Sequence, residues 1–221
     1  MIDLSRQGAV FVLAMQSGEN RFNRAFLDAL NGALDEVEKS SGPAALVTVG
    51  SDKFYSNGLD LDWLMSPGGE GPSFVGDFLA FFARMLALPV PTVAALNGHT
   101  FAGGAMFALT HDFRVMRADR GFFCLPEVDL GMPFAPGMNA LITGKLDSRT
   151  ASDLILTGRR IGGEEALRVR AVDEIAGADE VLSRAVARAE ALSGKDRAIY
   201  GRLKRDLFGH AIEVLESRRM P

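Results

Sequence analysis

Hydrophobic and polar positions change period several times along this chain, and each change predicts an element. IDLSRQGAVFVLAM holds two short strand-like runs around Gln7-Gly8, which predicts a hairpin. GENRFN breaks the pattern. Phe26, Leu27, Leu30, Leu34 and Val37 then recur at helical spacing, with Asn23 placed as N-cap and Gly42-Pro43 as the stop. AALVTVG and PTVAAL are β-branched apolar runs of strand length, as expected of buried strands. Between them, FYSNGLDL ends a strand in a tight Ser-Asn-Gly turn, and MSPGGEGPS reads as a loop at a pocket mouth. FVGDFLAFFARMLALP is a nearly buried helix whose Phe74, Phe78, Phe81 and Phe82 belong to core and pocket wall. Farther on, Pro133, Phe134 and Pro136 make a stiff apolar corner. SRTASDLILTG predicts a helix from a Ser148 cap to Gly158, GGEEALRVRAV a second, and VDEIAG an extended piece. Two charged amphipathic helices close the chain, ADEVLSRAVARAEALSG and DRAIYGRLKRDLFGHAIEVLESRRM.

The chemistry concentrates between Asn97 and Leu130. The strand PTVAAL feeds the small-residue turn Ala102-Gly103-Gly104-Ala105, and the apolar segment MFALT follows as a helix. A helix start offers unpaired N–H groups and the positive end of its dipole, which suits a developing negative oxygen. Downstream, Glu127 is an isolated acid in CLPEV, where burial would raise its pKa and make it a useful base. Oxyanion donors and a base together suggest chemistry on a carbonyl compound.

NGHTFAGGAMFALTHDFRV, LPEVDLGMP and LTGRRIGGEEALRVRAVDEI, together with the earlier FYSNGLDL, resemble the crotonase superfamily, the enoyl-CoA hydratases and isomerases. The resemblance runs from about Gly18 to Ile175. It implies an α/β fold, a spiral of repeated β-β-α units over residues 1–146 carrying an acyl-CoA site. A helical oligomerisation region, 147–221, would follow. It also implies that the N–H groups of Leu59 and Gly103 are the two oxyanion donors. Ser56, Asn57, Gly58, Leu61, Gly104, Met106 and Phe134 would surround the thioester, and Arg21 and Phe22 would contact the CoA nucleotide. The basic run Arg202, Lys204, Arg205 is a further candidate for the CoA phosphates. Apolar positions on the penultimate helix (Val181, Leu182, Val186, Leu192) predict a partner, hence a homotrimer or a dimer of trimers.

Reaction type turns on two positions. Hydratases of this superfamily use two glutamates, one matched here by Glu127. The other stands three positions past the central glycine, where this chain has Met106. A thioether cannot serve as acid or base near neutral pH, whereas a single carboxylate suffices to move a double bond. RFN, SNG, HDF, RADRG and EVDLGMP are similar to the short 3-enoyl-CoA to 2-enoyl-CoA isomerases. The implied activity is that isomerisation, in fatty acid β-oxidation, with CoA as part of the substrate and no separate cofactor. A hydratase-like enzyme and a non-catalytic acyl-CoA-binding member are the alternatives. A Ser56–His99–Asp112 hydrolase is the remote one.

Composition changes this picture little. The 221 residues are 48% hydrophobic and 24% charged, enough for one well-cored domain with a helical addition. One cysteine, Cys124, allows no internal disulfide, and with 3 histidines no metal centre is expected. No segment reads as a membrane span and MIDLSRQG does not read as a signal peptide, so a reducing cytoplasm is the expected compartment. A net charge of -4 gives no general attraction to nucleic acid.

Overall fold

The computed structural model describes residues 2–220. The predicted hairpin forms as β1 (Ile2–Gln7) and β2 (Val10–Met15), paired antiparallel. Helix α1 (Arg24–Lys39) follows, and Asn23 caps it by accepting from the Phe26 N–H at 3.0 Å. The chain then makes three similar turns. The first is β3 (Ala45–Val49), β4 (Phe54–Ser56), α2 (Leu61–Leu64) and α3 (Gly71–Ala87). The second is β5 (Thr92–Leu96), β6 (His99–Phe101) and α4 (Gly103–Thr110). The third is β7 (Phe113–Arg117), β8 (Phe123–Cys124), α5 (Glu127–Leu130) and α6 (Pro136–Lys145). After these come α7 (Ser148–Thr157), α8 (Gly163–Arg168), β9 (Glu174–Ala176), α9 (Val181–Leu192) and α10 (Arg197–Glu216).

Each turn gives its first strand to a six-stranded sheet, ordered β1-β2-β3-β5-β7-β9, and its second to a three-stranded sheet, β4-β6-β8. This is the β-β-α spiral that the resemblance implies. Successive residues of a strand point to opposite faces, and that period sorts the core in two. Phe11, Leu13, Leu46, Ala94, Leu96 and Met116 join the large cluster containing the aromatic side chains of α1 and α3. Val10, Val12, Ala45, Val47, Val93, Ala95 and Val115 face the other way, where α9 covers them with Val181, Ala185 and Ala189.

That second cluster corrects an expectation. Val181 is buried in it and Leu182 and Val186 pack against it, so the apolar face of α9 is covered by the chain's own sheet. Burying a valine in this way contributes about 1.5–3 kcal/mol, which explains the pattern without a partner. Two local readings also change. Asp147, one residue earlier than Ser148, caps α7, its Oδ1 accepting from the N–H groups of Arg149 and Thr150 at 3.1 and 3.0 Å. The predicted corner keeps Pro133 and Phe134 outside any helix, but α6 starts directly after it, with Pro136 in the first turn, where a missing N–H costs nothing. Residues beyond 146 return to the core: β9 pairs with β7, and α10 lies along α3 and α6.

Candidate active site

Two backbone turns meet beside a pocket. The first follows β4, where Gly58 has φ +80, and the second is the entry to α4, where Ala102 has φ +50. A Cβ on Gly58 would stand 2.9 Å from the Gly103 nitrogen, so only glycine allows the turns to approach this closely. Gly104 is bound by the same packing, since a Cβ there would lie 2.3 Å from the Ser56 carbonyl oxygen. Ala102 has no such exemption. A non-glycine residue held at positive φ stores strain on the order of 1–3 kcal/mol, and here it sits immediately before Gly103. The Leu59 and Gly103 N–H groups enter no backbone hydrogen bond among the described residues.

The pocket itself encloses about 290 Å³, and Asn57, Leu59, Leu61, Gly103, Met106 and Glu127 are among its lining residues. Phe78, Val75, Leu64, Pro133, Met132, Met138 and Met220 make its wall apolar. Glu127 is the only carboxylate among the described lining residues, and it is 8% exposed. Its Oε2 has no hydrogen-bond partner among the described residues, and burial pushes its pKa up to about 7. A carboxylate poised near neutrality, facing an apolar cavity beside two free N–H groups, can take a proton next to a carbonyl and return it.

Other predicted residues fall elsewhere. Phe22 is fully buried, its ring packed against Phe26, Phe78, Phe81 and Phe107, so it is core rather than a nucleotide contact. Its backbone does serve the site, because the Phe22 N–H donates to the Gly58 carbonyl at 2.8 Å and fixes the first turn. Arg21 is tied to Glu19 at 2.6 Å and Asp62 at 3.2 Å, outside this pocket. Ser56 is buried and donates to the Asn20 carbonyl. Gly104 and Phe134 support the pocket without lining it. No hydrolytic triad assembles: Asp112 bonds Thr92 N–H and Tyr200, while the His99 ring packs among Phe54, Phe101 and Phe122. In the final basic run, Lys204 is buried against Asp112 at 3.0 Å and Arg202 pairs with Asp206. Sequence reasoning missed Lys53 and Arg120, which line a cavity of about 480 Å³ with Glu19. Glu19 connects this cavity to the pocket, accepting from Asn57 Nδ2 at 2.9 Å. A lysine directly before FYSNG was the available signal.

The sequence profile of the enoyl-CoA hydratase/isomerase family matches residues 5–219. The chain belongs to the enoyl-CoA hydratase/isomerase family. Within that family it is 36% identical to enoyl-CoA delta isomerase 3 of Arabidopsis thaliana, covering 98% of this chain and 95% of the relative. It is 33% identical to the peroxisomal enoyl-CoA delta isomerase 2 of the same plant, covering 97% and 95%. Among solved family structures, the probable enoyl-CoA hydratase EchA3 of Mycobacterium tuberculosis H37Rv superposes with a TM-score of 0.91 at 26% identity, covering 98% of this chain and 92% of that one. The family fold is therefore established. No helix of the described residues is long and apolar enough to cross a membrane.

Proposed function

We propose that this chain is an isomerase that shifts the double bond of 3-enoyl-CoA thioesters to give 2-enoyl-CoA. The observation that carries this reading is Glu127, buried, with an unpartnered oxygen and the only carboxylate among the described lining residues of an apolar pocket beside the Leu59 and Gly103 N–H groups. The thioester oxygen lies between those donors. Glu127 removes a proton from the α-carbon, and the negative charge that appears on the oxygen of the dienolate is stabilised where it forms. The same carboxyl then delivers the proton to the γ-carbon. Similarity to two plant enoyl-CoA delta isomerases supports the assignment, and fatty acid β-oxidation is the pathway we propose for it.

Met106 separates this reaction from hydration. It is 1% exposed and lines the pocket, so a water attacking the double bond finds no second carboxylate among the described lining residues. Incubation with 3-enoyl-CoA is expected to give 2-enoyl-CoA, with negligible hydration of added 2-enoyl-CoA. Efficient hydration by the unaltered protein would overturn the assignment. Met106→Glu is expected to introduce a trace of hydration. For the CoA phosphates we substitute Lys53 and Arg120 for Arg21, since their cavity adjoins the pocket through Glu19 and Asn57. For self-association, the exposed stripe Ile199, Leu203 and Leu207 on α10 replaces the face of α9 as the basis for a trimer.

A further inference from the structure

A second concentration of charge shares no lining residue with the acyl pocket. Where the end of α6 meets the start of α7 and the end of α8, a cleft of about 720 Å³ is lined by Lys145, Arg149, Arg159, Arg168 and Arg170. The acids beside them are already engaged. Asp147 accepts from the first N–H groups of α7. Asp153 takes Arg159 at 2.7 Å, and Glu165 takes Arg159 and Arg168 at 2.8 and 3.0 Å. Arg149 and Arg170 make no ion pair and no side-chain hydrogen bond among the described residues. In a chain of net charge -4, this is a local surplus of positive charge.

Two details distinguish the cleft from an ordinary solvated face. Arg170 closes α8 at φ +58, its N–H donating to Leu167 O at 3.1 Å, in a position where glycine is the relaxed choice. An arginine kept in a strained conformation at a cleft rim is a pointer to function. Lys145 is the other. Its Nζ donates to the His111 carbonyl at 2.8 Å and lies 4.4 Å above the Phe208 ring. Burial, then the Arg114 cation, lower its pKa to about 7, with Lys204 acting in the same direction and Asp112 and Asp173 opposing. The neighbouring His111 imidazole is pushed down to about 3 by burial and stays neutral. Near neutral pH the ammonium is therefore only partly formed, and an anion in the cleft would complete it.

We propose that this cleft binds a small dianion of the phosphate class, held by Lys145, Arg149 and Arg170. Guanidinium forks match the paired oxygens of such an anion, and Lys145, whose Nζ is held on the His111 carbonyl behind the cleft lining, adds a compact positive charge. The ligand is either inorganic phosphate or the phosphate of a monoester metabolite.

Calorimetry on the full chain tests the proposal, with sulfate, inorganic phosphate and glycerol phosphate as probes. Saturable binding is expected, weakened roughly tenfold or more in the Arg149→Gln/Arg170→Gly double variant, which loses two charge-assisted contacts. Glycine at position 170 relaxes the turn, so the variant keeps its fold and its isomerase rate. Sulfate does not titrate near neutrality, so its binding at pH 7 should take up protons as Lys145 charges. That uptake should fade below about pH 5, where the ammonium is already complete. A higher affinity for glycerol phosphate than for phosphate identifies a metabolite, and the reverse identifies the free ion. The idea is overturned by absence of saturable binding, by equal binding in the double variant, or by binding that Lys53→Ala abolishes instead.

Discussion

Two sites of buried charge among the described residues differ in what surrounds them. At the candidate active site stands Glu127, lining an apolar cavity and with one carboxylate oxygen unpartnered among the described residues. At the far end of α4, His111, Asp112, Arg114 and Lys204 form a dense cluster between the large sheet and α10. His111 Nδ1 donates to the Phe107 carbonyl and its Nε2 meets Thr48 Oγ1 at 2.9 Å. Arg114 donates to the carbonyls of Ala171 and His111 and pairs with Asp173 at 3.0 Å. Lys204 Nζ stands 3.0 Å from Asp112 Oδ1 as an ion pair. Both places displace pKa values through burial, down for Lys204 and up for Glu127. Displacement alone therefore does not mark a catalytic group. What separates them is that the cluster's charges are answered within the fold, whereas Glu127 faces space for a ligand.

The largest expected effect of breaking this contrast is on the rate. Glu127→Gln keeps the shape of the pocket but removes the base, and steady-state kinetics should show kcat for isomerisation lowered by about a hundred- to ten-thousandfold, with acyl-CoA affinity nearly unchanged. Gly58→Ala should cost nearly as much, about a hundred- to a thousandfold in kcat, because its Cβ would press on the Gly103 nitrogen. Asp112→Asn should do the opposite. It leaves Lys204 buried without its counterion, so denaturant unfolding should show a loss of about 3–5 kcal/mol, while kcat per folded molecule stays the same.

The smallest effect is a gain. Glu127 has a folded pKa raised from 4.5 to about 7, so its neutral form is favoured in the folded state. The resulting stability is fully present below pH 4.5 and is lost as pH rises through about 7, where the buried carboxylate must ionise. Glu127→Gln should therefore be more stable than the parent at pH 8, by roughly 3 kcal/mol at most, and no more stable than the parent at pH 4. An active-site acid that lowers stability in order to act as a base would show that signature.

The sequence revealed the parts of the site governed by local backbone chemistry. The turn at Gly58, the helix entry at Gly103, the apolar setting of Glu127 and the thioether at Met106 all depend on neighbours in the chain. Contacts set by distant packing were not legible. Phe22 lies in a motif beside the site, yet its ring is drawn into the cluster built by α1, α3 and α4. Lys204 reads as one residue of a solvated basic stripe, because nothing local announces that α10 lies along α3 and α6 and turns that position toward Asp112. The apolar stripe of α9 was legible as a buried face, but whether a partner or the chain's own sheet buries it depends on β2, β3, β5 and β7 assembling first.

The central claim is that Glu127 alone transfers the proton. Incubating a saturated acyl-CoA, which can lose its α-proton but cannot isomerise, with the protein in deuterated water isolates that step. Mass spectrometry should find deuterium at the α-carbon with the parent protein and essentially none with Glu127→Gln, at a rate that falls as pH drops below about 7. Undiminished exchange in Glu127→Gln would contradict the account.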